Sequence, residues 1–372
     1  MSYQICEVRT YEGDKRSDAK NVLLRVGNKK SNAVGKSVER TTDLKTLRSS
    51  AKNSINECYI DLTLDKLREI DSDQYLHESY IKNRSRFLDE DNIRLFVIKL
   101  KINQGQSIDK LDYEYLLSLL SNRSNDLPLM PILEFGENVE TPSQISQYNN
   151  FVDNVLEMRE NYPRLENIAI SVPIYFPRRQ IDKLFEKYDD IKPTFVAMDL
   201  NNKRVDSISN TKFDTIKAHF LSENQENTFL YGINVKPYKN GGNSTSALDV
   251  QSIHWSFNAI GPTHHKFVKR LIITTDWMGA GRVYDSDELH YTRLDSKHLD
   301  DFLDWVENNY GFRFDEDYSS NEKSTYAYLK RYNYHLANLN LSNLSESLIK
   351  GETELIDDAF DKLPMGIRAT SR

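Results

Sequence analysis

Short apolar runs alternate along the chain with longer stretches at helical spacing. Five runs are nearly continuous in aliphatic, β-branched or aromatic residues: Arg94-Leu-Phe-Val-Ile-Lys-Leu100, Leu129-Met-Pro-Ile-Leu133, Asn167-Ile-Ala-Ile-Ser-Val172, Thr194-Phe-Val-Ala-Met198 and Thr228-Phe-Leu-Tyr-Gly-Ile-Asn-Val235. They predict strands covered on both faces, since a half-exposed strand would alternate. Between them, residues 107–120 place Ile108, Leu111, Tyr115, Leu116 and Leu119 on one helical side. Residues 143–159 do the same with Ile145, Phe151, Val152, Val155 and Met158, and residues 178–188 with Ile181, Leu184 and Phe185.

The runs start 27 to 38 residues apart, which predicts successive strand–helix–strand units and a parallel sheet. Further strands are expected at 55–62 and 255–260, with Val22–Val26 as an extra, so the count approaches eight. No Gly-rich phosphate loop follows any of the five runs, which argues against an open nucleotide-binding sheet. The fold class expected is α/β, a (β/α)8 TIM-like barrel with a C-terminal helical extension.

Beyond residue 270 the rhythm changes. The run at 270–276 follows its predecessor too closely for a helical crossover and reads as a hairpin partner. Residues 296–310 predict a helix with Leu299, Phe302, Leu303 and Val306 inward. Residues 324–348 predict one or two more, with Tyr326, Leu329, Tyr332, Leu336, Leu339 and Leu344 inward. The expected division is 1–54 as a basic N-terminal arm or first barrel elements, 55–269 as the barrel body, and 270–372 as a hairpin and helical extension.

Composition narrows the class. Of 372 residues 38% are hydrophobic, enough for a sizeable core and too many for a disordered chain. The net charge of −7 gives no reason to expect a polyanion-coating protein. Its distribution is uneven, however: residues 1–56 hold 12 basic and 6 acidic side chains, +6, which leaves −13 for the rest. The arm is either a solvated segment or a contact for phosphates. The Gly- and Asn-rich stretch at 27–36 reads as a loop. No apolar run reaches the roughly 20 residues of a membrane helix, and the start carries no signal-like segment. Two cysteines, Cys6 and Cys58, make neither a disulfide framework nor a thiolate zinc site. The expectation is a cytoplasmic protein without membrane contact or cofactor; nothing in the pattern sets an oligomeric state.

In a barrel the ligand-handling groups gather at the carboxyl ends of the strands. That rule selects Glu134 after the run at 129–133, and Asp199 and Asn201 after the run at 194–198. It also selects Asn234 and Lys236 at the end of 228–235, and Asn258 and His264 around the strand at 255–260. Glu134 and Asp199 are the candidates for acid–base or nucleophilic chemistry, tuned by burial. A carboxylate at a strand end equally often caps a helix or joins a structural ion pair, and for Asp199 both readings stand. The adjacent pair His264-His265 cannot share one ion easily, and no H-E-x-x-H occurs, so no metal site is expected. Trp277, in Thr274-Thr-Asp-Trp-Met-Gly-Ala-Gly281, is either a stacking wall for a ring or a hairpin core residue.

Three stretches resemble the tRNA-guanine transglycosylase family in order: Leu230-Tyr-Gly-Ile-Asn234, Phe257-Asn-Ala-Ile-Gly-Pro-Thr-His264, and Ser324-Thr-Tyr-Ala-Tyr-Leu329. The resemblance covers about 130 residues and implies a barrel that exchanges or binds a nucleobase of a nucleic acid such as tRNA. The chain departs from the family where it matters chemically. The nucleophilic aspartate of the family falls on Asn258, whose amide cannot attack carbon as a carboxylate does. The second signature is matched only by Glu134-Phe-Gly, and the zinc cysteines are missing.

The functional expectation is therefore a divergent transglycosylase-like protein acting on a nucleobase or nucleic acid. Glu134 and Asp199 would be its reactive groups, with Asn201, Asn234, Lys236, Asn258, His264 and Trp277 binding substrate. Its rivals are a barrel hydrolase or lyase that uses the paired carboxylates on a small molecule, and a non-catalytic interaction subunit.

Overall fold

The computed structural model describes residues 3–15, 17–31, 35–36, 38–39, 54–85, 91–135, 142–208, 210–221, 228–237, 244–262, 264, 282–293, 308 and 322–364. Three strands, β1 (Tyr3–Thr10), β2 (Lys20–Val26) and β3 (Lys29–Ser31), form an antiparallel sheet in that order. Ten more run parallel in two sheets. One has β10 (Ile170–Pro173), β11 (Phe195–Asp199), β12 (Phe229–Ile233), β14 (Ala259–Ile260) and β4 (Gly35–Lys36) side by side. The other has β5 (Val38–Glu39), β6 (Ile55–Thr63), β7 (Ile93–Ile102) and β8 (Leu127–Pro128), with β9 (Ile132–Phe135) also on β7.

The edges of the two sheets approach one another twice. β4 and β5 are consecutive in the chain, one at the edge of each sheet. On the far side Leu129 bridges Ala169 in parallel fashion. There Met130 N–H donates to Ala169 O and Ala169 N–H to Pro128 O, both at 2.8 Å.

Helices follow the strands as the apolar rhythm requires. α1 (Leu64–Asp71) and α2 (Gln74–Ser85) follow β6, and α3 (Lys110–Leu120) follows β7. α4 (Pro142–Met158), α5 (Arg178–Tyr188) and α6 (Asn210–Leu221) follow β9, β10 and β11. Local chemistry fixes their starts. Thr63 Oγ1 accepts from Lys66 N–H at the head of α1, and Asp109 and Asp112 form a reciprocal capping box on α3. Asp112 also takes a two-pronged bond from Arg68, which ties α3 to α1.

The longer parallel strands have two buried faces. Ile60, Leu62, Phe96, Ile98, Leu100, Val172 and Met198 meet the helices. Ile55, Leu95, Val97, Leu127, Ile132, Ala169, Phe195, Ala197, Phe229 and Tyr231 point the other way and pack on Val22, Leu24 and Val26 of the antiparallel sheet. Burial on both sides is why these strands read as continuous apolar runs. A third cluster joins β13 (Ser244–Ser246), β15 (Arg282–Asp285) and β16 (His290–Arg293) to α7 (Glu322–Lys350) and α8 (Glu354–Asp361).

Several expectations change. Val22–Val26 is a strand, but in the antiparallel sheet. The strand expected at 255–260 begins only at Ala259, because Gln251–Trp255 forms a 3-10 helix that ends on left-handed Ser256 (φ 64°). The stretch at 27–36 contains β3 and β4. Leu111 is 66% exposed, since α3 buries Tyr113, Leu116, Leu117 and Leu120 instead. Residues 324–348 lie in one helix, on which Leu336 and Leu344 are buried and Leu339 is exposed. The hairpin expected at 270–276 and the helix at 296–310 lie outside the described residues, apart from Asn308.

Candidate functional site

Polar residues interrupt the face that packs on the antiparallel sheet, and they do so at its carboxyl end. Strand periodicity puts Glu57, Tyr59 and Asp61 on that face beside Ile55, and Lys99 and Lys101 beside Val97. Register sets Asp61 beside Lys99 and Lys101 beside Glu134. The same periodicity carries Phe195 and Ala197 on to Asp199, and Ile132 on to Glu134.

Glu57 is fully buried, and its carboxylate accepts from Tyr231 Oη–H and pairs with His264 Nε2. The His264 ring lies flat on Tyr59, centroids 3.9 Å apart and planes within 10°. Gly261 makes room for this arrangement. A Cβ there would run into Glu57 Oε2 and stand 2.8 Å from Tyr231 Oη.

Beside this group Lys99, with 7% of its side chain exposed, faces Glu134 at 3.5 Å, the outer limit of a hydrogen bond. Asp199 is 1% exposed. Its Oδ1 accepts the Asn201 N–H at 2.9 Å, whereas no partner among the described residues reaches Oδ2. Burial pushes the Asp199 carboxyl up, and the charges of Glu134 and Glu57 add to that. Lys99 and the Asn201 N–H act in the opposite sense without cancelling it. The Tyr59 hydroxyl is likewise driven up, by burial first and then by Asp199, Asp61, Glu57 and Glu134. These groups therefore share one electrostatic environment.

The loops after β11 and β12 are laced together by backbone bonds. Asn202 N–H donates to Asn234 O, Leu200 N–H to Ile233 O and Lys236 N–H to Lys203 O. Asn201, Asn202 and Asn234 all take left-handed backbone (φ 46°, 59° and 54°), which asparagine tolerates better than most residues. Asn234 Oδ1 accepts the His264 N–H at 2.9 Å and so fixes where the histidine sits.

Of the residues chosen from the sequence, Glu134, Asp199, Asn201, Asn234 and His264 thus meet at one end of the sheets, with Lys236 on the adjoining loop. Asn258 does not join them. It is wholly buried, its Oδ1 accepts Leu230 N–H and its amide donates to Lys20 O of β2, so it clamps the antiparallel sheet to the parallel one. Trp277 lies outside the described residues. Sequence reasoning missed Glu57, Tyr59, Asp61, Lys99 and Tyr231. For three of them the signal was present: Glu57, Tyr59 and Asp61 recur at every second position of β6, opposite a face that carries Cys58, Ile60 and Leu62.

Among the described residues no group of three or more His, Cys, Asp or Glu side chains could hold a metal ion. No helix among them is long and apolar enough to cross a membrane. Comparison with known proteins finds no matching family model and no matching curated protein.

Proposed function

We propose that the parallel strands close into one (β/α)8 barrel whose carboxyl-end cluster is the active centre of an enzyme, a hydrolase or lyase acting on a small uncharged molecule. The consecutive edge strands β4 and β5, the Leu129–Ala169 bridge and the two buried faces support closure. The observation that carries the enzymatic reading is Asp199 Oδ2, a buried carboxylate oxygen that no described residue reaches, in one electrostatic environment with Lys99, Glu134 and Tyr59. An orphaned buried acceptor is costly, and ligand is what it is built to meet. With its acidity lowered, Asp199 is the proton donor and Glu134 the acceptor. Asn234 and Glu57 hold His264 in place.

The wealth of carboxylates speaks for an uncharged substrate rather than a polyanion. The arm's basic side chains point the same way: Lys20 bonds Thr228 O, Lys29 bonds Asp126, and Lys15 bonds Asp361, so these three hold the fold. The test is thermal stabilisation by a panel of neutral sugars, polyols and nucleobases, on wild type and Asp199→Asn. A ligand at a hundred times its Kd stabilises by about 2.7 kcal/mol. The reading expects a hit that Asp199→Asn loses, and fails if every hit persists in that variant.

The Tyr59–His264 ring pair favours a second reading, in which Tyr59 stacks a nucleobase and Asp199 takes its N–H edge, the chemistry that the transglycosylase resemblance implies. Stabilisation by guanine or adenine alone, lost in Tyr59→Leu, would select it, together with a nucleic-acid partner.

A further inference from the structure

Lys99 is the group that the proton-transfer reading leaves without a task. Its side chain is almost wholly buried on the face that carries Val97, and the nearest carboxylate oxygen among the described residues, on Glu134, is 3.5 Å away. A buried lysine held for structure is expected to make short hydrogen bonds, as Lys29 does with Asn92 O at 3.0 Å and Asp126 Oδ2 at 2.6 Å. Lys99 instead has only Glu134, on the neighbouring strand β9, within salt-bridge reach among the described residues, and it shares the electrostatic environment of Asp199, whose Oδ2 no described residue reaches. We infer that Lys99 is a covalent nucleophile that condenses with a small, neutral, hydroxylated aldehyde or ketone to form an imine. The proposal rests on the proton-transfer reading above and narrows its substrate to a carbonyl compound.

The step balances with the groups present. Lys99 Nζ gives one proton to the Glu134 carboxylate. Its freed electron pair forms the C–N bond as the carbonyl π pair moves onto oxygen, which takes the Asp199 proton. The amine nitrogen then returns a proton to Asp199. Glu134 protonates the new hydroxyl, the C–O bond breaks, water leaves, and a protonated imine remains with both carboxyl groups as they began. A cationic imine surrounded by Glu57, Glu134 and Asp61 is stabilised where a free carbanion-forming ketone is not, which is how a lysine promotes cleavage next to a carbonyl. The acidic surroundings also disfavour anionic keto acids, so the class chosen is the uncharged one.

The experiment incubates the full chain with glyceraldehyde, dihydroxyacetone or ribose and sodium cyanoborohydride, which reduces imines to stable amines, followed by intact mass and peptide mapping. The expected result is one adduct per chain, mapped to Lys99, at carbonyl concentrations where exposed lysines such as Lys110 stay largely unmodified. Lys99→Arg should lose that adduct and keep its thermal stability within a few degrees. Label on exposed lysines alone, or equal labelling of the Lys99→Arg chain, would overturn the proposal. If those same carbonyls stabilise wild type but not Asp199→Asn and never label Lys99, the imine falls while the proton-transfer reading stands. If Lys99 is labelled equally in wild type and Asp199→Asn, the nucleophile stands and the role given to Asp199 falls.

Discussion

Tyr231 donates its phenolic hydrogen to Glu57, although 174 positions separate them, and the same carboxylate holds His264 Nε2. One buried acid thus joins β6, β12 and the segment beyond β14. Loss of it strands two polar groups at once. Glu57→Ala should cost about 3–5 kcal/mol, the range for breaking a buried pair from one side. Tyr231→Phe, which removes the bond to the Glu57 carboxyl and leaves His264 its partner, should cost less, about 1–2 kcal/mol. Urea unfolding measures both, and equal, sub-kcal effects would contradict the arrangement.

Gly261 is required by closeness rather than by backbone angle. Alanine there would meet Glu57 Oε2, Tyr231 Oη and, at 3.0 Å, the backbone oxygen of Gly232. Gly261→Ala should destabilise by about 1–3 kcal/mol through overpacking. Combined with Tyr231→Phe, which deletes one of the three obstructing atoms, the loss should be smaller than the sum of the single losses.

His254 gives the stability an acid-sensitive window. It is buried, Ser17 Oγ lies 2.8 Å from its Nδ1, and burial depresses its pKa to about 3 against a partial counter-effect from the Ala359 backbone. The folded state holds it neutral while the unfolded chain, with an ordinary value of 6.5, takes up a proton. Its contribution is therefore complete above pH 6.5 and is lost progressively down to about pH 3. Between pH 7 and pH 5 the unfolding free energy should drop by about 2 kcal/mol on this account. His254→Phe should flatten that slope in a urea series across pH.

A second window lies lower and has the depressed carboxylate's sign. Burial raises the Asp126 carboxyl, but bonds from Arg94 and Lys29 outweigh it and hold the group below the ordinary range. Its contribution is present above the unfolded value of 3.8 and disappears as the pH falls through the lower folded one. Asp126→Asn leaves two cations without their shared partner at the amino-terminal end of β7 and should cost about 3 kcal/mol at pH 7. That loss should shrink towards pH 3 in the same denaturation series.

The strands were legible because burial on both sides leaves little room for polar residues, so five apolar runs mark β7, β9, β10, β11 and β12 within a few positions. The site was legible where it terminates such a run, as with Glu134 and Asp199. It was hidden where polar side chains sit inside one. Glu57 and Lys99 look like interruptions of an apolar segment until the two-residue period assigns them to a common face. Asn258 misled for the opposite reason. It lies next to a strand like a site residue, yet its amide spans to Lys20, and a contact 238 positions away leaves no local trace in the sequence. Leu111 was misplaced by periodicity alone, since the register of α3 is set by Asp112 reaching Arg68 and by the aromatic pair Tyr113 and Phe151.

The first strands of the chain close against its last helices. Tyr11 bonds Asp357, Lys15 bonds Asp361, and the Asn21 amide reaches Ser345 O at 3.4 Å. During synthesis the opening hairpin can pack on the parallel strands as they are made, but these three bonds form only once residues 345–361 have been translated. A chain that stalls before residue 345 therefore leaves the hairpin without these anchors, open to chaperones or proteases.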